Sequence, residues 1–161
     1  MDGYLLKKAD IEAMEGVEKT HFQNPNAVRL NKSLGDATGL TGIGVHIIEV
    51  EPDRDTTEYH RHFHEDECIY VLSGTADARI GDETYPIEPG DFIGYRAGGL
   101  AHGITVTGTE TFRCLVMGQR LDHDAGEYPE KRKRIYRNVG RPWVVFDEDA
   151  AEELPGTVGK K

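Results

Sequence analysis

The apolar residues of the chain come in short runs rather than in a helical stripe. Residues 44–50 (GVHIIEV) form the first clear run of strand composition, ended by Pro52-Asp53-Arg54-Asp55. Residues 68–73 (CIYVLS) form the strongest and stop at Gly74. Residues 75–80 and 84–87 flank a Gly81-Asp82 turn and read as a hairpin, which Pro89-Gly90 closes. Further runs at 92–95, 103–107 and 111–117 are separated by glycines. Seven or eight short strands at about ten-residue spacing, with no helical crossover between them, predict a sandwich or barrel. In the hairpin, the alternation Ala76, Ala78, Ile80 turns one face toward a core.

The two ends read differently. Residues 1–40 form a polar lead-in, where Asp10 is expected to cap a helical turn over 11–14 and Asn24-Pro25-Asn26 to make a turn. After about Gln119 the strand pattern stops. The tail, 120–161, is charged, yet it contains Tyr136 and the stretch Pro142-Trp143-Val144-Val145-Phe146. That patch is too apolar to leave bare in water, so it is expected to pack on the barrel or on a partner subunit.

Composition narrows the class. The chain has 161 residues, 19 of them glycine, and 29 acidic against 19 basic side chains give a net charge of -10. Such a surface repels phosphate backbones and anionic lipid, so neither nucleic acid nor membrane is expected as a partner. The run Lys131-Arg132-Lys133-Arg134 sits beside Glu127 and Glu130 and reads as a solvated face or an intersubunit charge contact. No stretch approaches the ~18 apolar residues of a membrane helix. The start of the chain carries charges where a secretory signal needs an apolar segment. Cys68 and Cys114 make no disulfide framework and read as small hydrophobes, Cys68 pointing away from Glu67. A cytoplasmic location is expected.

The chemistry concentrates in Glu58-Tyr59-His60-Arg61-His62-Phe63-His64-Glu65-Asp66-Glu67. Residues two apart on a strand share a face, so His60 and His62 would present two imidazoles side by side. Glu67 opens the next apolar run and can add a carboxylate. Two nitrogens and one oxygen suit a divalent first-row transition metal. The competing reading is a solvated polar hairpin.

At this point the chain resembles the cupin superfamily. Its first motif, G-x5-H-x-H-x3/4-E-x6-G, is matched by His60, His62, Glu67 and Gly74, with Arg54 at the leading glycine. The second, G-x5-P-x-G-x2-H-x3-N, begins at Gly90, has Arg96 at the proline and one extra residue before His102, and ends on Val106. The resemblance covers about residues 40–120. It implies a single cupin domain over 1–161, with an N-terminal extension at 1–39 and a C-terminal tail at 120–161. The implied fold is an all-β double-stranded β-helix, a jelly roll with irregular extensions. It also implies a divalent metal ion (Mn, Fe, Ni or Zn) on His60, His62, Glu67 and His102, a small-molecule ligand and a homodimer. The segment Leu34-Gly35-Asp36-Ala37-Thr38-Gly39-Leu40 and Tyr128-Pro129 look like one bacterial subgroup of small cupins, some labelled sugar-phosphate isomerases.

Three further residues are candidates for catalysis. His64 continues the alternation and reads as an acid/base or as part of the loop before Glu67. His46 lies mid-strand and reads as a core histidine or, facing inward, as a substrate contact. Arg96 reads as a rim guanidinium for a carboxylate or phosphate, or as an ordinary surface arginine. Three functions are consistent with this pattern. One is a metal-dependent isomerase or epimerase of a sugar or sugar phosphate; another is an iron-dependent dioxygenase; the third is a non-catalytic small-molecule binder.

Overall fold

The computed structural model describes residues 3–152 and 154; the end of the tail lies outside them. In chain order the elements are α1 (Lys8–Glu12), β1 (Val17–His21), β2 (Asn24–Ser33), α2 (Leu34–Ala37), β3 (Ile43–Val50), β4 (Arg61–His62) and β5 (Glu67–Ser73). They continue with β6 (Ala76–Ile80), β7 (Glu83–Ile87), β8 (Phe92–Tyr95), β9 (His102–Thr105), β10 (Phe112–Gln119), β11 (His123–Tyr128), β12 (Lys133–Asn138) and β13 (Val144–Asp147). One sheet has the order β1-β2-β3-β10-β5-β8; the others are β13-β12-β11-β4 and β7-β6-β9. All pairings are antiparallel. A bridge between His60 and His102 joins the two smaller sheets. The result is an all-β jelly-roll barrel.

The register sets what the barrel encloses. Val50 pairs with Phe112, Ile48 with Cys114 and His46 with Val116 across β3 and β10. Cys114 pairs with Val71, Val116 with Ile69 and Gly118 with Glu67 across β10 and β5. The rows through Val50, Phe112 and Val71 are fully buried and join Ala76, Ala78, Ile104 and Val106 in the core. The rows through His46 and Glu67 carry polar groups on the same inner face. One end of the barrel is therefore plugged by apolar packing, and the other is lined with chemistry.

Gly74 shows why the first motif closes on glycine. Its φ is +76°, and a Cβ there would lie 2.8 Å from the Phe112 Cα, so the turn after β5 admits no side chain.

Both extensions differ from the sequence expectation. They are regular strands: β1 and β2 extend the large sheet, and β11–β13 build the four-stranded one. The hairpin turn falls on Phe22-Gln23, while Asn24-Pro25-Asn26 opens β2 beside a register shift, where a missing proline N–H is tolerated. The first helix covers Lys8–Glu12, and Asp10 accepts a hydrogen bond from the Lys7 N–H at 2.8 Å from inside the first turn. Trp143 and Phe146 remain 61% and 53% exposed. The basic run is neutralised within the chain: Arg132 pairs with Asp149, Lys133 with Asp147 and Arg134 with Glu148. Among the described residues no helix is long and apolar enough to cross a membrane.

Candidate metal centre

The polar end of the barrel opens into a cavity of about 400 Å³. His60, His62 and Glu67 line it, and their ligand atoms lie within 4.8 Å of one another. Strand β4 and the bridge before it present both imidazoles, with ring centroids 5.0 Å apart. Glu67 enters from β5 across from Gly118 and Tyr95, and its carboxylate lies 3.7 Å from His62 Nε2. His102 lies outside that 4.8 Å cluster, but its ring is 4.7 Å from that of His60 and stacks on Tyr95 at 3.5 Å. The extra residue of the second motif is absorbed in the loop before β9, which still delivers His102 beside His60.

Hydrogen bonds fix which nitrogen each ring offers. His60 Nδ1 donates to the Glu58 carbonyl at 2.8 Å, His102 Nδ1 to the Leu100 carbonyl at 3.4 Å, and His62 Nδ1 lies 2.6 Å from Asp124 Oδ2. Carbonyl and carboxylate oxygens only accept, so each Nδ1 carries the proton and each Nε2 keeps a free lone pair. His102 Nε2 is buried with no partner. Such an orphaned acceptor is costly in an apolar setting and is satisfied by a cation. The donor set therefore fits a divalent metal ion.

For His60 and His102 the electrostatics agree. Burial, then the neighbouring His102 and His62, hold His60 well below its ordinary pKa. Burial lowers His102 to about 4. For His62 burial is outweighed by the Asp124 hydrogen bond and the charges of Glu67 and Asp124, which raise it. Burial raises Glu67, with His62 and Arg29 opposing. Behind His62 sits a second acidic pair: Asp124 Oδ1 accepts from the His64 N–H at 3.2 Å, and Glu65 accepts from the Leu121 N–H at 2.6 Å and from Arg137.

The other candidates separate. His46 lines the cavity, with Nδ1 2.9 Å from Ser33 Oγ and 3.3 Å from Asn31 Nδ2. Burial lowers its pKa, and the Arg120 charge adds to this. His64 is exposed on the bend after β4 and does not line the cavity. Arg96 is exposed on a different depression, beside Cys68 and Met117. Sequence reading passed over Lys19, His21, Arg29 and Asn31, which line the cavity from β1 and β2. The available signal was the alternation Lys19/His21 and Ala27/Arg29/Asn31, but its inward face is polar and so does not look like a core. Trp143 also reaches the cavity wall.

An antiparallel barrel with a His/His/Glu cluster at its open end defines a class of small metal-site jelly rolls. The family model described as "Cupin domain" matches residues 46–118. The crystal structure of an Acidithiobacillus ferrooxidans protein proposed as a sugar phosphate isomerase is 48% identical, with 95% of this chain and 97% of that one covered and a TM-score of 0.92. The chain belongs to the cupin superfamily. A Silicibacter pomeroyi protein named as a sugar phosphate isomerase from a cupin superfamily superposes with a TM-score of 0.78 over 93% of this chain and 98% of that one. At 22% identity it supports the fold alone. No functionally curated protein matches the chain.

Proposed function

We propose that this cupin is a metal-dependent isomerase or epimerase of a sugar or sugar phosphate, with His60, His62, Glu67 and His102 as the metal ligands. The observation that carries this reading is the convergence of the His60/His62/Glu67 cluster and His46 on one polar cavity. The 48% identical relative, proposed as a sugar phosphate isomerase, supports the substrate class. The donor set accepts Mn, Fe, Ni or Zn. The chemistry such an ion supplies is Lewis-acid polarisation of a substrate carbonyl or hydroxyl.

The chain's own residues do the rest. Isomerisation moves a proton between neighbouring carbons, which needs a group that both takes and returns one. His46 meets that need on the cavity wall. Its Nδ1 faces the Ser33 hydroxyl, which can accept from Nδ1–H or donate to it, so either tautomer is served. Nε2 then takes and returns the proton. Burial and the Arg120 charge keep the ring neutral and ready to act as a base. Asn31 Nδ2 donates to Ser33 Oγ at 3.2 Å, which leaves that hydroxyl a lone pair for His46 Nδ1–H, and Trp143 stands on the same cavity wall.

The homodimer has its best site at β13, an edge strand whose Val144 and Phe146 are exposed. Sedimentation of wild type and Phe146→Glu checks it.

Purified protein, analysed for metal, is incubated in D2O with a panel of aldose and ketose phosphates. Interconversion with deuterium entering the reacting carbon, lost on chelation and slowed by His46→Gln, is expected. Metal-loaded protein that neither interconverts nor exchanges any member, or that instead consumes oxygen, overturns the reading.

A further inference from the structure

The hairpin of β1 and β2 carries two cations that the metal cluster does not explain. Lys19 and Arg29 are direct cross-strand partners, so their side chains leave the hairpin on one face, and both line the cavity. Like charges opposite each other on a ladder repel. Among the described residues neither takes part in an ion pair. Among the described residues the other basic side chains without an ion pair, Lys7, Arg54, Arg96 and Arg141, are exposed and line no part of this cavity, while the basic run 131–134 finds carboxylates. Glu67 is the one carboxylate among the lining residues of the cavity, and it belongs to the metal cluster.

The guanidinium is also held in place. Arg29 Nη1 donates to the Thr56 carbonyl at 2.9 Å, which uses one of its five N–H groups and orients the fork. Arg29 borders a small inner pocket together with Glu67 and His102. It therefore reaches from the hairpin to the side of the metal cluster, while Lys19 remains exposed nearer the mouth. A planar fork beside a mobile point charge suits a group with several anionic oxygens.

We propose that Lys19 and Arg29 form a phosphate subsite, clamping the phosphate of a substrate whose carbonyl end lies at His60, His62 and Glu67. The identity of that substrate rests on the isomerase reading above; the clamp itself requires no turnover. A dianion offsets both cations at once and removes the repulsion between them, which a neutral sugar does not.

Calorimetric titration with inorganic phosphate tests it. Wild type binds saturably; Arg29→Met weakens binding about tenfold or more, the loss of one charge-assisted contact, and Lys19→Met weakens it about fivefold. Arg29→Lys keeps part of the affinity, and Arg96→Met, an exposed cation on a different depression, leaves it unchanged. Should Arg29→Met fail to fold, the exposed Lys19→Met and the charge-retaining Arg29→Lys decide. Absence of saturable binding to wild type, equal affinity in Lys19→Met, or tighter binding of malonate than of phosphate overturns the proposal. Binding that depends on both cations, without any isomerisation, keeps the subsite and removes the isomerase reading. Isomerisation of glucose as fast as glucose 6-phosphate, unaffected by Lys19→Met, keeps the isomerase reading and removes the subsite.

Discussion

His60 and His102 hydrogen-bond to each other through their backbones, His60 N–H to the His102 carbonyl at 3.0 Å and His102 N–H to the His60 carbonyl at 2.7 Å. This reciprocal bridge joins two sheets that otherwise do not pair, and it brings residues 42 positions apart to a ring separation of 4.7 Å. The site is thus assembled by the closure of the barrel. His60→Ala and His62→Ala should each abolish stoichiometric metal binding, and His102→Ala should weaken it, with the β-sheet circular dichroism retained. Elemental analysis after chelator-free purification measures this, and full metal retention in the first two variants would remove the ligand assignment.

Asp124 acts one step behind the ligands. Its Oδ2 holds His62 Nδ1 at 2.6 Å, and its own pKa is lowered by that contact although burial opposes it. Asp124→Asn keeps the shape but removes the charge that orients the ring and raises its basicity. Metal affinity is expected to fall by roughly 10–100-fold, read by competition against a chromophoric chelator. Unchanged affinity would show that the Asp124 contact is packing alone.

How much of this was legible follows the physics of each segment. The barrel strands β3, β5, β6 and β10 bury alternate apolar side chains such as Ile48, Val71, Ala78 and Phe112, so their runs stand out in the sequence. The His60/His62/Glu67 spacing was legible because strand parity is local. The hairpin of β1 and β2 was not, because its inner face carries Lys19, His21, Arg29 and Asn31 toward a wet cavity, and no apolar alternation marks it. Strands β11 to β13 were missed for a related reason. Asp124 and Glu127 are buried as partners of His62 and Arg61, and charge patterns of that kind read as surface. Arg96 drew attention by its place in a motif, but only the folded structure shows that it lines a different depression.

Acid should destabilise the metal-free protein before it reaches the usual carboxylate range. Burial, then the Arg29 charge, lowers His21 from 6.5 to about 4. Its Nδ1 accepts from the Gln23 N–H at 3.1 Å, a bond that protonation would break. Between pH 6.5 and about 4 the unfolded chain binds this proton and the folded chain does not. Stability is therefore full above pH 6.5 and is lost as pH falls through that window. The ring is only half-buried, so solvent screening reduces its share to on the order of 1–2 kcal/mol. Urea midpoints at pH 7 and 4.5 measure the loss. His21→Gln should shrink the difference between them, and an unchanged difference would assign the acid sensitivity to other groups.

Glu65 and Arg137 tie the C-terminal strands to the wall of the site. Glu65 is 5% exposed and accepts from the Leu121 N–H and from Arg137, which also donates to the Leu121 carbonyl at 3.2 Å and lies 5.4 Å from the Trp143 ring. Arg137→Met removes the cation and leaves a buried carboxylate with a single backbone donor. Stranding one partner of a buried pair costs about 3–5 kcal/mol. Glu65→Gln removes the charge that would be stranded, so the double variant should recover a large part of that loss. Urea denaturation of the four proteins gives the coupling. Additive losses would mean that Arg137 holds Trp143 and the tail by stacking alone, and that the position of this wall of the cavity does not depend on the buried charge.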